Sequence, residues 1–424
     1  MMMTLDSNSL SGNLGTPVMV TAWRRRALWL GAASLLFAVC LAWADRSLDH
    51  LLRAWLLGLM LTLSFAVGGL ALLMLHYLTG GKWGFVLRRP LEAMSRTLPL
   101  VFGYWVVIAL GMKRIYLWAR VNDAGEALRT GILNAAQAHA IAFKRPMLNP
   151  LAFVVAGLCC FAVWGFYTCR ISALGKMWES ECEKTPEQWK RRLENLSGHG
   201  LLLYGITMTA AVIFWVMSLD AAWYSSVFGL LFLVGQACAA MAMATLLVLS
   251  LAADEPMRSL LRKSEQSDLG TLCFAFVMLN AYLAFSQFLI VWSGNLPAEI
   301  PWYLDRTRGH WNVVLLVDVL LAWLLPFVLL LSRDLKRNRT RLARVCQLMI
   351  LARAVDLFWT IEPSFGDAAG NLHFTWGILE YVAMSTAMTA FWTAYLCAQL
   401  QARSLIQRND PLLAEILENN DASA

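Results

Sequence analysis

The chain has 424 residues, of which 59% are hydrophobic and only 15% charged, with a mean hydropathy of +0.56. That balance excludes an ordinary soluble domain and points to repeated membrane-spanning helices. The net charge of +7 does not point to nucleic acid, because the basic residues fall in the loops between apolar runs, where membrane topology accounts for them.

Residues 1–26 form a polar tail ending in Arg24-Arg25-Arg26, with no early apolar core of a cleavable signal peptide. The apolar runs predict about ten transmembrane helices, at 27–44, 51–78, 94–112, 150–174, 200–219, 226–252, 270–292, 311–331, 342–359 and 374–400. The third contains Pro99, which is tolerated near a helix start. A basic loop, 113–149, follows it and is expected to meet an acidic partner surface. Lys176 to Glu194 reads as a solvated, amphiphilic surface helix. Residues 401–424 form a polar tail. Roughly two-thirds of the 35 lysines and arginines lie on one side of this topology, so both termini are expected in the cytoplasm. Asn280 to Arg337 is expected to be the stretch around which the chain is organised. It pairs two apolar runs through an aromatic loop and ends in a basic cluster.

Nine cysteines are present, without a CxxC pair or a haem-attachment motif. Cys40, Cys159, Cys160, Cys238, Cys273, Cys346 and Cys397 lie in apolar runs and read as small core residues. The histidines do not pair at matching depth. The chain is therefore expected to carry no redox centre of its own.

Ionisable groups inside apolar helices are the candidates for function, since a carboxyl in hydrocarbon needs a partner or a role. Arg353 and Asp356 are three apart on one helical face, as a local ion pair or as part of a proton relay. Asp318 lies about two turns before Pro326, whose missing N–H frees a carbonyl and can let in water. It has no base within a turn and is expected to hold a proton more readily than Asp356. Asp220 marks a short turn, as a cap or as the outer mouth of a proton path. Asn280, Tyr282, Ser286 and Gln287 can line a wet passage or bond between helices, as can Tyr204 and Thr207. His76 stands near the basic end of its helix, and Glu380 is expected to meet another subunit or lipid headgroups. Trp302, His310 and Trp311 are weak candidates for contact with a quinone.

Several of these residues sit in longer motifs: FSQFLIVWSGNLPAEIPWY from Phe285, LPFVLLLSRDLKRN from Leu325, LYGITMTAAVIFWVMSLDAAWYSSVFGLLFLVGQ from Leu203, and RAVDLFW from Arg353. Together they resemble the ActF-type membrane subunit of bacterial alternative complex III, itself similar to NrfD-like polysulfide-reductase membrane subunits, over about 51–411. The resemblance implies an all-α integral membrane protein in which two four-helix bundles, about 51–219 and 226–359, lie between flanking helices 27–44 and 374–400. It implies a non-redox subunit of a quinol:cytochrome c oxidoreductase in the bacterial inner membrane. Haem and iron–sulfur clusters would belong to partner subunits: an ActC-like membrane subunit, an iron–sulfur subunit and a multihaem cytochrome c. The family pattern has a histidine four residues before the proline, where this chain has Ala322, and Asp318 is one turn further on the same face. Two other readings stand beside this one. An independent proton-coupled transporter would show broken helices in matched halves, and a purely structural scaffold would tolerate loss of the interior acids.

Overall fold

The computed structural model describes residues 18–45, 48–81, 83–121, 123–131, 133–180, 185–255, 257–365 and 377–405. Among them there is no β-strand, and eight helical stretches are long and apolar enough to cross a membrane. The chain is an all-α integral membrane protein. The long helices, in order, are α1 (Val18–Asp45), α2 (Leu48–Thr79), α3 (Leu98–Ile115), α4 (Pro150–Ser180), α5 (Pro186–Trp215), α6 (Phe228–Leu251), α7 (Lys263–Gly294), α8 (Trp311–Leu331), α9 (Arg339–Ile361) and α10 (Gly377–Gln401). The last two hold charged or polar groups within their length and pack alongside the others.

The organising element is α2 and not the 280–337 stretch. Its apolar window is entirely buried, and it touches α3, α5, α6, α9 and α10. Windows of α7 and α8 are only 17% and 11% buried, so those helices stand at the periphery. Small residues give α2 its place. A Cβ on Gly68 would lie 2.8 Å from the backbone carbonyl oxygen of Gln236, so only glycine permits this crossing with α6. Helices α3, α4 and α5 pack with α2, while α7 and α9 pack on α6 and α8 lies against α7 and α9, and α1 with α10 flanks α2.

Helix ends differ from the expected bounds in physically telling ways. A short helix, Trp83–Ser95, precedes α3, and the chain breaks before Leu98 so that Pro99 falls in the first turn. Within Lys176 to Glu194, residues 176–180 continue α4 and residues 186–194 open α5, with Trp189 and Leu193 buried, so the described part is not a separate surface helix. The 113–149 loop folds into Leu117–Arg120, Ala124–Arg129 and Ala135–Lys144. Much of its positive charge is answered within the chain. Arg114 pairs with Asp49 at 3.1 Å, Arg120 donates to the carbonyls of Lys113 and Arg114, and Lys144 donates to those of Ala221 and Trp223. Helix α9 runs unbroken through Arg353 and Asp356. Of the apolar-run cysteines, Cys160, Cys273, Cys346 and Cys397 are buried, but Cys40 and Cys159 face outward, since a thiol is apolar enough for either side of a membrane helix. The tails 1–17 and 406–424 lie outside the described residues.

Candidate functional site

Three-residue spacing on α9 puts Arg353 and Asp356 on one face, and the structure closes them into an ion pair, Nη1 to Oδ2 at 2.5 Å. Arg353 is reached from two other helices. Its Nε lies 3.5 Å from Ser64 Oγ on α2, and its guanidinium lies 4.5 Å from the centroid of the Phe232 ring on α6. Gly235, also on α6, makes the room: a Cβ there would lie 2.5 Å from Arg353 Nη1 and 3.4 Å from Asn280 Oδ1. The remaining Nη2 is buried without a hydrogen-bond partner.

Beside the pair is a cavity of about 20 Å³ lined by Gly235, Asn280, Ala322, Arg353 and Asp356. It has room for one water and the polar groups to hold it. Ala322 belongs to a π turn, residues 320–324, that interrupts α8 immediately before Pro326. Here Leu325 N–H reaches back to the carbonyl of Leu320, and Pro326 offers no N–H, so the helix cannot keep its regular ladder. Asp318 lies just before this turn. Its Oδ1 is sealed from solvent without a partner, and the charges that act on it are those of Asp356 and Arg353.

The polar interior continues into the other half of the chain. The fully buried Gln236 accepts a hydrogen bond from Tyr204 Oη at 3.0 Å, linking α5 to α6 one residue from Gly235. Ser64, Gln236, Gly235 and Phe232 were not legible as site residues. Ser64 is one small hydroxyl that also donates to the carbonyl of Met60, and nothing in its surrounding sequence separates it from packing serines.

Other sequence candidates lie elsewhere. Tyr282 faces outward and is 66% exposed, so it does not line an interior passage. Gln287 is buried beside Tyr303, two turns from Asn280. Thr207 turns toward α4, accepting from Trp164 Nε1 at 2.9 Å. His76 is buried against Trp83, three turns and about 18 Å along α2 from Ser64. Glu380 is buried at the start of α10, not on an outer surface.

Asp220 belongs to a plug that the 113–149 loop also reaches, through Lys144. Trp302 stacks on Trp223 with centroids 4.6 Å apart and lies under the Arg306 guanidinium at 3.8 Å. Arg306 donates to the carbonyls of Trp302 and Thr360 and to Ser364 Oγ. Burial pushes its pKa down to about 9, against the opposing charges of Asp220 and Asp305. Trp311 packs on Phe358, while His310 is exposed. Among the described residues no group of histidine, cysteine and acidic side chains is placed to hold a metal ion. Comparison with protein-family models and with curated proteins finds no match for this chain.

Proposed function

We propose that this chain is a membrane subunit of a quinol-oxidising respiratory complex of the alternative complex III kind, and that its interior polar cluster moves protons. The observation that carries the proton role is the Arg353–Asp356 pair, set beside a water-sized cavity with the unpartnered carboxyl oxygen of Asp318 nearby. A membrane interior holds such groups only where they are paired or working. Asp318 takes up and releases the proton, Arg353 pairs with Asp356, and a water in the cavity bridges Asp356 and Asn280. The respiratory role is supported by the motifs around Phe285, Leu325, Leu203 and Arg353. On this reading ten helices cross the bacterial inner membrane, both termini are cytoplasmic, and haem and iron–sulfur clusters reside in partner subunits. No step is assigned to a quinone on this chain.

The test is purification of the tagged chain in mild detergent. Haem-containing and iron–sulfur subunits are expected to accompany it. Asp318→Asn is expected to leave that assembly intact while lowering quinol turnover or proton release by about a hundredfold, the lower end for loss of one proton-transfer group. A stable, colourless homomer would end the respiratory reading. Unchanged turnover and proton release in the assembled variant would leave a scaffold.

A further inference from the structure

A second cavity, of about 700 Å³, opens between α3, α4 and α10. Its volume is in the range of small-molecule sites. One end is basic, with Arg96, Lys176 and Arg403, and its walls are apolar, with Leu98, Phe102 and Phe161 among them. The acids at the basic end are already committed. Glu92 accepts from Arg89 at 2.7 Å, from Ser172 at 3.1 Å and from Arg403, while Glu179 pairs with Arg89. Arg96 and Lys176 have no hydrogen bond or ion pair from their side chains among the described residues, and Arg403 and Arg89 add like charge next to Arg96. Thr168 also lines the cavity; it is 7% exposed, and its hydroxyl is sealed without a partner. From Lys176 the wall follows α4 to Leu158, about 27 Å by helical rise and more than the ~15 Å of one leaflet's hydrocarbon.

We propose that this groove holds one acidic phospholipid, its phosphodiester against Arg96 and Lys176 and an acyl chain along Leu98, Phe102 and Phe161. A neutral amphiphile would leave the two cations unanswered, and a free phosphate would leave the apolar walls unfilled. Basic pockets between helices are suited to acidic headgroups. The proposal rests on the membrane placement of the chain and not on its respiratory role.

Native mass spectrometry of the full-length chain, with its co-purifying subunits, tests this after incubation in micelles containing phosphatidylglycerol or phosphatidylcholine. One phosphatidylglycerol is expected to be retained in preference to phosphatidylcholine. The double variant Arg96→Gln/Lys176→Gln is expected to bind it roughly thirtyfold more weakly. Gly165→Leu fills the groove from a position where an added Cβ meets nothing within 4 Å, so it is expected to abolish retention without disturbing the fold. Equal retention of both lipids, or undiminished phosphatidylglycerol in either variant, would overturn the proposal. Displacement by millimolar inorganic phosphate would reassign the site to a free anion, and displacement by a neutral quinone analogue to an uncharged amphiphile.

Discussion

Arg353 is held by Asp356 on its own helix, by Ser64 on α2 and by Phe232 on α6. Removing one partner of a buried pair strands the other charge and typically destabilises by 3–5 kcal/mol. Asp356→Asn is therefore expected to lower the yield of folded chain and its melting temperature, measured in one detergent beside the wild type. Asp318→Asn strands no charge and should leave both nearly unchanged. Glu362 offers a second test, outside the apolar zone. Burial raises its pKa to about 7, against a hydrogen bond from the Tyr381 hydroxyl and the charge of Arg53. In the unfolded chain it ionises near 4.5. Between those values the folded chain holds a proton that the unfolded chain has released, so stability falls as pH rises through that window. The whole shift corresponds to roughly 3 kcal/mol. Melts of the wild type at pH 5 and pH 8 should differ by more than those of Glu362→Gln; an equal difference would assign the dependence to other groups.

Among the helices, the crossing of α2 and α6 is the tightest test of the packing. Gly68 faces the carbonyl of Gln236 and Ala240 Cβ, so Gly68→Val must force two backbones apart beside the polar cluster. A loss of about 3 kcal/mol is expected, the upper end for overpacking a core. Gly103, on α3, has nothing within 4 Å of an added Cβ, and Gly103→Ala should be neutral in the same thermal assay. This pair also explains what was legible in the sequence. Helices were readable because apolar runs of membrane length end at basic clusters such as Arg333–Arg341. Their arrangement was not. Lipid tails are as apolar as leucine, so the wholly buried α2 and the mostly exposed α7 carry similar compositions. Tyr282 and Gln287 looked alike on one helix, yet one faces outward and the other is 2% exposed. The Arg353–Asp356 pair was readable because it is local; Ser64, 289 residues away, was not.

Across the whole molecule, contacts sort the connections into two sets. On the basic side Arg339 donates to the carbonyl of Ala252, Gln266 to that of Lys336, and Arg403 reaches Glu92 and Ser172. On the other side Lys144 meets the Asp220 turn, and Arg306 meets the end of α9. Reporter fusions after Arg341 and in the 296–308 loop are expected to report opposite sides of the membrane, with the first cytoplasmic. An external signal after Arg341 would overturn the ten-crossing topology.

The position of α10 also has a consequence for how the chain is made. Trp392 packs 5.0 Å from Phe65 and donates to Thr97, Tyr104 donates to the carbonyl of Met388, and Gln401 bonds Thr21. Helix α10 is thus a wall of a part of the chain that leaves the ribosome much earlier. Until it is made, α2 can have its other neighbours, but Gly58, which faces Met388 of α10, lacks its partner. A chain stopped before Gly377 would hold the helices from α1 to α9 and lack the one that packs along both α1 and α2.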